Sequence, residues 1–388
     1  MVCENDKCTG CFACYNICPK NAIEMKEDEH GYIYPHIIES KCINCGLCKK
    51  ICPVLNKVEL KRPIKCLAIR TLEQNILSKS SSGGIATIIS KKVLENSGIV
   101  YGAAFLNNCE VSHIRVDNIE DLIKIQGSKY VHSYIKDTYK NVKNDLTTAK
   151  KVLFVGTPCQ VAGLKRYLMK DYENLYTIDI ICHGVPSQKF LKDEILRINK
   201  NLNIDRVNFR DKKYNPFHFS VVKNGNDIFF ESWSKSPYFY TFMKSFTYRD
   251  NCYICRYASI ERCSDMTIGD FWGISKESKF YNTRSKGISV ALPITEKGIE
   301  MLELISDCTE FEERDINEAV AGNDQLRDSC KKSIKEHEFK NSYLKTNSFY
   351  KSYKKVFKKN YYKQIVKSNK FVLKILDIKK ELKNGKKK

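Results

Sequence analysis

Cys8-Thr-Gly-Cys11-Phe-Ala-Cys14-Tyr-Asn-Ile-Cys18-Pro19 returns, with the same cysteine spacing, as Cys42-Ile-Asn-Cys45-Gly-Leu-Cys48-Lys-Lys-Ile-Cys52-Pro53. Three thiolates spaced by two residues can hold three corners of a [4Fe–4S] cube from one loop, while the fourth cysteine reaches the other cube. This crossing assigns Cys8, Cys11, Cys14 and Cys52 to one cluster and Cys18, Cys42, Cys45 and Cys48 to another. Zinc is the alternative, but zinc favours two CxxC pairs on separate loops. The strings therefore predict two iron–sulfur clusters and one-electron transport.

The two strings define a head over residues 1–57. Between them, residues 22–25 and 32–35 flank the turn-like residues 28–31, which predicts a small β-hairpin. Cys3 lies outside both strings and is predicted to be a free thiol. Over residues 3–57 the sequence resembles bacterial two-cluster ferredoxins, and this resemblance implies an α+β ferredoxin-like head.

Length and composition set the general class of the protein. The chain has 388 residues, enough for two or three domains, and its hydrophobic fraction of 42% excludes global disorder. Its uncharged stretches fall short of the roughly 18 apolar residues of a membrane-spanning helix, and its first residues lack a secretory signal pattern. We therefore expect a cytoplasmic protein, in which 18 cysteines indicate metal or redox sites rather than disulfides.

The formal net charge of +21 is concentrated at the C-terminus. Residues 331–388 hold 20 lysines, no arginine and four acidic residues, a local charge of +16. Aromatic and aliphatic residues recur there at helical spacing, namely Tyr350, Tyr353, Phe357, Tyr361, Ile365 and Val372, so residues 326–388 are predicted to form a basic helical tail. Two interpretations stay open: the tail docks on an anionic membrane surface or an acidic partner, which would place the protein peripherally at the inner membrane, or it packs its aromatic residues on the parent domain. Nucleic-acid binding is disfavoured because the charge is carried by lysine alone, without a recognition module.

Residues 58–325 have an α/β pattern. Apolar strands near residues 98–105, 151–156 and 177–182 alternate with helical stretches at 85–96, 160–168 and 189–198. Such continuous strands predict a parallel sheet covered by helices on both faces. Residues 207–250 are richer in aromatic residues and are predicted to form a β-rich insertion.

Four cysteines of this domain form a second candidate metal site. Cys159 and Cys182 each follow a predicted strand, and the carboxyl ends of parallel strands form the ligand crevice of such a sheet. With Cys252 and Cys255, which have chelating spacing, they could hold a third [4Fe–4S] cluster, with Cys263 as a substitute ligand. The alternative for each is a buried small hydrophobe, and that is the role predicted for Cys66, Cys109, Cys308 and Cys330.

Two turns of the same domain are suited to phosphate. Ser81, Ser82, Gly83 and Gly84 open a predicted helix, where hydroxyls, backbone amides and the helix dipole would favour a pyrophosphate. Gly127, Ser128, Lys129 and Tyr130 place a lysine and hydroxyls on another turn. A plain helix cap is the alternative for either turn taken alone.

Seven motifs, taken together, point to a family. They are Ser81-Ser-Gly-Gly84, Gly127-Ser-Lys-Tyr130, Gly156-Thr-Pro-Cys-Gln160, Cys182-His-Gly-Val-Pro-Ser187, Phe209-Arg-Asp-Lys212, Cys252-x2-Cys255 and Asp265-Met-Thr-Ile-Gly-Asp-Phe-Trp-Gly273, in this order. From about residue 66 to 320 the chain closely resembles the β-subunit family of coenzyme F420-reducing hydrogenases and dehydrogenases. The resemblance implies FAD bound by the two turns and a cluster bound by the four cysteines.

The resemblance also suggests catalytic candidates. Asp270 and Trp272 either lie near the flavin ring or form a structural turn. His183 either donates a proton or a hydrogen bond near the cluster, or is an ordinary turn residue.

The sequence as a whole predicts an oxidoreductase. Electrons from an external donor such as ferredoxin would pass through the head clusters and the third cluster to FAD, and then to an organic substrate or hydride carrier. The alternative is an electron-relay subunit of a larger redox complex without a substrate site of its own.

Overall fold

A computed structural model describes residues 1–212 and 217–362 of the chain. The end of the predicted tail, including Ile365, Val372 and half of its 20 lysines, lies outside the described residues.

The head contains α1 (Ala13–Ile17), β1 (Ile23–Glu27), β2 (Ile33–Ile37) and α2 (Leu47–Lys50). Its strands pair antiparallel with Ile23 opposite Ile37, which confirms the predicted hairpin. The Asp28 carboxylate closes the turn by accepting hydrogen bonds from the backbone N–H of His30 (3.0 Å) and of Tyr32 (2.8 Å).

Strands and helices alternate after the head. The strands are β3 (Leu67–Thr71), β4 (Ile99–Phe105), β5 (Val111–Val116), β6 (Val152–Gly156), β7 (Leu175–Ile180), β8 (Arg206–Asn208), β9 (His218–Lys223), β10 (Asn226–Ser232), β11 (Met266–Asp270), β12 (Ser289–Pro293) and β13 (Thr309–Glu313). The helices are α3 (Gln74–Lys79), α4 (Ile85–Glu95), α5 (Leu122–Ile125), α6 (Thr138–Thr147), α7 (Pro158–Leu168), α8 (Gln188–Asn199), α9 (Pro237–Met243), α10 (Glu296–Glu303), α11 (Ile316–Gly322), α12 (Ile334–Thr346) and α13 (Phe349–Val356). The predicted strands correspond to β4, β6 and β7, and the predicted helices to α4, α7 and α8.

Eight of the described strands form one mixed sheet in the order β13-β3-β12-β11-β7-β6-β4-β5. Its centre, made of β4, β6, β7 and β11, is parallel. The flanking strands pair antiparallel. The prediction of a parallel sheet is therefore wrong for the flanks, in part because the short loop at residues 106–110 forces β5 to run back along β4.

Helices cover both faces of this sheet, as predicted. Val152 and Phe154 of β6 are fully buried on the face covered by α6 and α7, whereas Leu153 is buried on the opposite face with α4. Phe12 and Ala13 of the head join the first of these cores. The head is therefore part of the layer that covers the sheet.

The predicted β-rich insertion is a smaller antiparallel sheet in the order β10-β9-β8. Its last part is helical instead, since α9 occupies part of the region. The Ser236 hydroxyl caps this helix by accepting from the N–H of Phe239 (3.3 Å), and Pro237 occupies the first helical position. The smaller sheet, α8 and α9 enclose an aromatic core.

Helices α12 and α13 complete that core. Phe339, Tyr343, Phe349, Tyr353 and Phe357 are buried in it. In the described part of the tail, the aromatic face therefore packs on the parent domain. None of the helices in the described residues combines the length and apolarity needed to cross a membrane.

Candidate functional site

Four cysteines of the head surround a first small cavity. They are Cys8, Cys11, Cys14 and Cys52, and Cys3 also lines the cavity. Gly10 (φ +62°) and Phe12 (φ +63°) adopt left-handed conformations that wind the chain tightly between the first three. The structure thus brings together the four cysteines that the spacing assigns to one cluster.

Cys3 interacts with the sulfurs of two of these cysteines. Interaction with the Cys52 and Cys8 side chains raises the pKa of Cys3, and Cys3 in turn lowers the pKa of both neighbours. The thiolate is the form that binds metal. Cys3, predicted only as a free thiol, therefore favours the binding-competent form of two candidate ligands.

A second small cavity is lined by Cys18, Cys42, Cys45 and Cys48, the set assigned to the other cluster. Its cysteines are the more accessible set, because Cys45 is exposed and the other three are half-buried, whereas the first four are buried. The side chains of Lys41, Lys49 and Lys50 are exposed around it. Ile43, in the same loop, exposes 58% of its surface. A carrier approaching from solvent therefore meets the second site before the first.

The four cysteines of the larger domain meet beyond the carboxyl ends of β6 and β7. Cys159 lies in the first turn of α7, and a capping box between Thr157 and Gln160 fixes that turn. Cys182 follows β7, and Cys252 and Cys255 lie in and just after the turn Asp250–Ile254. The sheet thus positions Cys159 and Cys182, and the turn Asp250–Ile254 positions Cys252 and Cys255.

Electrostatics supports the proximity of these four thiols. Burial is the largest cause that raises the pKa of each, and the Cys182 and Cys255 thiolates raise the pKa of Cys159 and Cys252 further. The pKa values of Cys159 and Cys182 reach about 12. Such thiols stay protonated at neutral pH unless a metal centre replaces the protons. Four neighbouring, half-buried thiols fit the four-thiolate ligand set of a [4Fe–4S] cluster.

A single metal ion is a different case. Within residues 1–212 and 217–362, no three His, Cys, Asp or Glu side chains are arranged to hold one.

Cys330, for which the sequence predicts a structural role, lies close to these four cysteines. Its thiolate raises the pKa of Cys182 and Cys255, and its Sγ lies 3.5 Å from the carbonyl oxygen of His183. No motif surrounds Cys330, so the sequence offered no signal for this placement. Cys263, the predicted substitute ligand, is buried, with its Sγ 3.5 Å from the carbonyl oxygen of Pro158.

The first and third sites share a wall built from α7 and Tyr139. Cys11 packs directly on the helix, since a Cβ on Gly163 would lie 3.1 Å from the Cys11 Sγ. The hydroxyl of Tyr139 donates to the carbonyl of Gln160 (2.7 Å). Burial raises the pKa of Tyr139, and the Cys11 and Cys159 thiolates raise it further. One buried tyrosine therefore interacts with cysteines of both sites.

The two predicted phosphate turns touch each other. The hydroxyl (2.8 Å) and the backbone N–H (3.1 Å) of Ser128 both donate to the Ser81 hydroxyl. The Ser82 hydroxyl donates to the carbonyl of Ile288 (2.8 Å), and the Gly83 N–H donates to the Ser289 hydroxyl (3.0 Å). Gly84 is left-handed (φ +83°), which helps to explain the double glycine before α4. The two turns therefore belong to one site.

Three cationic side chains gather at these turns. Arg210 donates to the Asp270 carboxylate (2.8 Å), to the Tyr130 hydroxyl (3.2 Å) and to the Ser81 carbonyl (3.1 Å). Lys212 donates to the Ser82 carbonyl (3.2 Å), and Lys129 to a carbonyl of its own turn (2.9 Å). Asp270, a catalytic candidate, is thus held in an ion pair.

The charge balance of this site favours an anion. Surrounding protein desolvates the two ammonium groups and lowers the pKa of Lys129 to about 7 and that of Lys212 to about 8. The hydrogen bonds of both ammonium groups go to neutral acceptors. A phosphate bound here would pair with the ammonium charges of Lys129 and Lys212, whose burial otherwise destabilises the fold. The residues therefore fit an anionic group such as a phosphate.

His183 lies between the third cysteine site and the Arg210–Asp270 pair. It follows Cys182 directly, and its side chain is exposed. Desolvation by nearby protein lowers its pKa and Arg210 acts in the same direction, while Asp270 opposes them. Trp272 exposes 49% of its surface, beside Arg210. The catalytic candidates therefore border the anion site.

Three family models match the chain. Two of them describe the beta subunit of coenzyme F420 hydrogenase/dehydrogenase: the model of its N-terminal part matches residues 66–138, and the model of its C-terminal part matches residues 149–319. A "4Fe-4S dicluster domain" model matches residues 7–56.

Curated relatives agree with these matches. A coenzyme F420-dependent sulfite reductase of Methanocaldococcus jannaschii is 24% identical over 69% of this chain and 42% of its own length. One subunit of the F(420)H(2) dehydrogenase of Methanosarcina mazei is 23% identical over 55% of this chain and 64% of its own length. The chain thus spans about half the length of these relatives. The F420-reducing [NiFe] hydrogenase complex of Methanosarcina barkeri contains a chain with a TM-score of 0.48 and 20% identity, covering 80% of this chain and 94% of that one.

Proposed function

The chain belongs to the coenzyme F420 hydrogenase/dehydrogenase beta-subunit family and carries a 4Fe–4S dicluster domain, and from this premise we propose that it is an iron–sulfur flavoprotein oxidoreductase. Electrons pass from an external ferredoxin-type carrier through the head clusters and a third cluster to FAD, and then to an organic substrate or hydride carrier. One observation carries the proposal. Cys159, Cys182, Cys252 and Cys255 lie together next to the first head site, and Tyr139 forms part of the wall between the two sites.

The cysteines supply the ligands in this proposal. Cys8, Cys11, Cys14 and Cys52 hold the first cluster, Cys18, Cys42, Cys45 and Cys48 the second, and Cys159, Cys182, Cys252 and Cys255 the third. We assign residues 1–57 to the head, 58–325 to the flavin and cluster domain, and 326–388 to the tail.

The joined turns hold the flavin nucleotide. Ser81, Ser82, Gly83 and Gly84, with Gly127, Ser128, Lys129 and Tyr130, surround its phosphates. Lys212 and Arg210 neutralise their charge, and Asp270 orients Arg210 through the ion pair. When bound, a flavin would accept electrons one at a time and pass on two of them together as one hydride. His183 borders this site from the side of the third cluster, where it is placed to hold or move a proton.

The exposed second site is where the external carrier docks. Lys41, Lys49 and Lys50 favour an acidic carrier, so the rate of electron transfer should fall as salt screens them. Replacing all three by Glu should slow reduction by such a carrier. The matched control reverses three exposed lysines of the tail, Lys345, Lys351 and Lys355. Slower reduction in the tail variant alone would move the docking site to the tail.

Anaerobic purification, with iron, sulfide and flavin quantified per chain, tests the proposal. We expect about twelve irons, four for each of three clusters, together with one flavin. About eight irons and no flavin would reduce the protein to an electron carrier.

A relay subunit within a larger complex is the second candidate, and the relative that is itself a subunit of the F(420)H(2) dehydrogenase favours it. Turnover of a small molecule by the isolated chain with an artificial reductant separates the two. The relatives named for coenzyme F420 make F420 the first acceptor to assay. Turnover with other organic acceptors alone would indicate a reductase of a different metabolite.

The tail offers a further contact with an anionic membrane surface or an acidic partner on the cytoplasmic side. Its described helices fill the aromatic core, so truncation would open that core. Neutralising exposed lysines is the cleaner test. Co-sedimentation with anionic vesicles should fall in a Lys351, Lys355 and Lys359 to Gln variant, and unchanged binding would exclude this part of the tail.

A further inference from the structure

Arg249 is a buried cation outside the roles described so far. Its side chain is 1% exposed, and its Nε donates to the carbonyl of Cys8 (2.7 Å). Nη1 and Nη2 are buried as well, and within the described residues the Cys8 side chain is the one hydrogen-bonding neighbour within their reach. Burial of an unpaired charge is costly, so this guanidinium needs a counter-charge.

Two of the three side chains that favour the charge of Arg249 are cysteines, one from the first site and one from the third. Burial opposes the charge, whereas the neighbouring Cys8, Tyr34 and Cys252 side chains favour it. No carboxylate is among these groups. The guanidinium also lies over the Tyr34 ring, with Cζ 4.1 Å from its centroid.

The backbone places Arg249 between the first and third sites. Its N–H donates to the carbonyl of Val185 (3.0 Å), just after Cys182, and its own carbonyl accepts from the N–H of Cys252 (2.9 Å). On the other side it lies against the first cysteine loop, where a Cβ on Gly10 would be 3.3 Å from Cζ. Glycine at that position makes room for the His132 ring, 2.8 Å from such a Cβ, and for the guanidinium.

We infer that Arg249 is a positioning residue for electron transfer, placed so that its positive charge stabilises the electron on the clusters held by Cys8 and by Cys252. The inference rests on the proposed function. In the step concerned, one electron leaves the first head cluster and the third cluster gains it, without proton transfer or bond change. Arginine keeps its proton at working pH, so its contribution is electrostatic.

The test is a redox titration of the full chain, purified anaerobically and followed by EPR. Arg249→Gln removes the charge, and Arg249→Lys keeps it. Arg166→Gln is the matched control, because Arg166 also donates to a head carbonyl, that of Lys50 (2.7 Å). We expect Arg249→Gln to shift the reduced-to-oxidised ratio of at least one cluster tenfold or more, a fall of about 59 mV in midpoint potential. In Arg249→Lys and Arg166→Gln, the midpoint potentials should fall by no more than about a third of that amount.

Each result decides between an electrostatic and a structural role. Unchanged potentials in Arg249→Gln with full iron content would overturn the inference, as would an equal fall in Arg166→Gln. If Arg249→Gln loses iron, Arg249→Lys decides: retained clusters with near wild-type potentials support the charge, and iron loss in both variants shows a structural role. A wild-type chain without iron would instead overturn the proposed function.

Discussion

Replacing Asp179 by Asn should destabilise the protein severely, because Asp179 pairs with Arg262 out of contact with solvent. The two side chains expose 0% and 1% of their surface. Arg262 donates to the same carboxylate oxygen through Nη2 (2.8 Å) and Nε (3.2 Å), and the Thr267 hydroxyl donates to it as well (2.7 Å). The pair ties β7, which leads to Cys182, to the loop that follows Cys255.

The expected cost follows from the charge left behind. In Asp179→Asn, Arg262 keeps its carbonyl partners at Tyr257 and Ile180 but loses its only ion-pair partner in the described residues. Breaking a buried pair in this way costs about 3–5 kcal/mol, a large share of the 5–15 kcal/mol typical of a folded domain. Removing both charges, with Asp179→Leu and Arg262→Met together, should cost less than Asp179→Asn, because no unpaired charge remains.

Urea unfolding followed by far-UV circular dichroism measures these differences under anaerobic conditions. Asp121→Asn is the control, since its pair with Lys124 is solvent-exposed and should contribute below about 1 kcal/mol. A cost below about 1 kcal/mol for Asp179→Asn would refute the reasoning. So would a double variant less stable than Asp179→Asn, because the destabilisation would then come from packing rather than from an unpaired charge.

Three further outcomes are expected. Because the pKa of Lys129 is lowered to about 7, its charge is present below that pH and lost above it. The affinity for FAD, titrated by flavin fluorescence, should therefore fall as pH rises through 7. Lys129→Gln should remove this pH dependence, and the control Lys124→Gln should keep it. Cys182→Ala should lower the iron content by about four atoms per chain, whereas Cys308→Ala should leave it unchanged in the same colorimetric assay. Phe339→Ala should destabilise the fold by about 3–5 kcal/mol in thermal unfolding, because Phe339 is fully buried in the aromatic core.

The elements that sequence reasoning identified are those with local signals. The hairpin of the head, strands β4, β6 and β7, and helices α4, α7 and α8 each carry their pattern within about a dozen consecutive residues. The order of the sheet does not, because β3, β12 and β13 come from distant parts of the chain yet lie side by side. A continuous apolar sequence predicts a strand that is buried on both faces at the centre of the sheet. It does not predict the direction of the neighbouring strand, which depends on the connection between the two.

The residues of the candidate site also fall into those with a local sequence signal and those without one. Repeated spacing identified the cysteines of the head, and strand ends identified Cys159 and Cys182. Contact between Ser81 and Ser128, and the approach of Cys330 to the third site, join segments far apart in sequence. Arg249 is the hardest residue to predict from the sequence, because no motif surrounds it. It stands out only in the structure, where it is buried without a carboxylate partner among the described residues.

The packing of the tail bears on the two interpretations that the sequence left open, namely docking on an anionic membrane surface or acidic partner and packing on the parent domain. In α13, Phe349 and Tyr353 face the aromatic core and are buried, while Lys351, Lys354 and Lys355 remain exposed. An amphipathic helix that enters a membrane needs its apolar face free. Here the domain already occupies that face, and the lysines are what the helix presents to solvent. Any docking by this part of the tail must therefore be electrostatic, worth roughly 1 kcal/mol for each lysine near an anionic surface and weakened by salt.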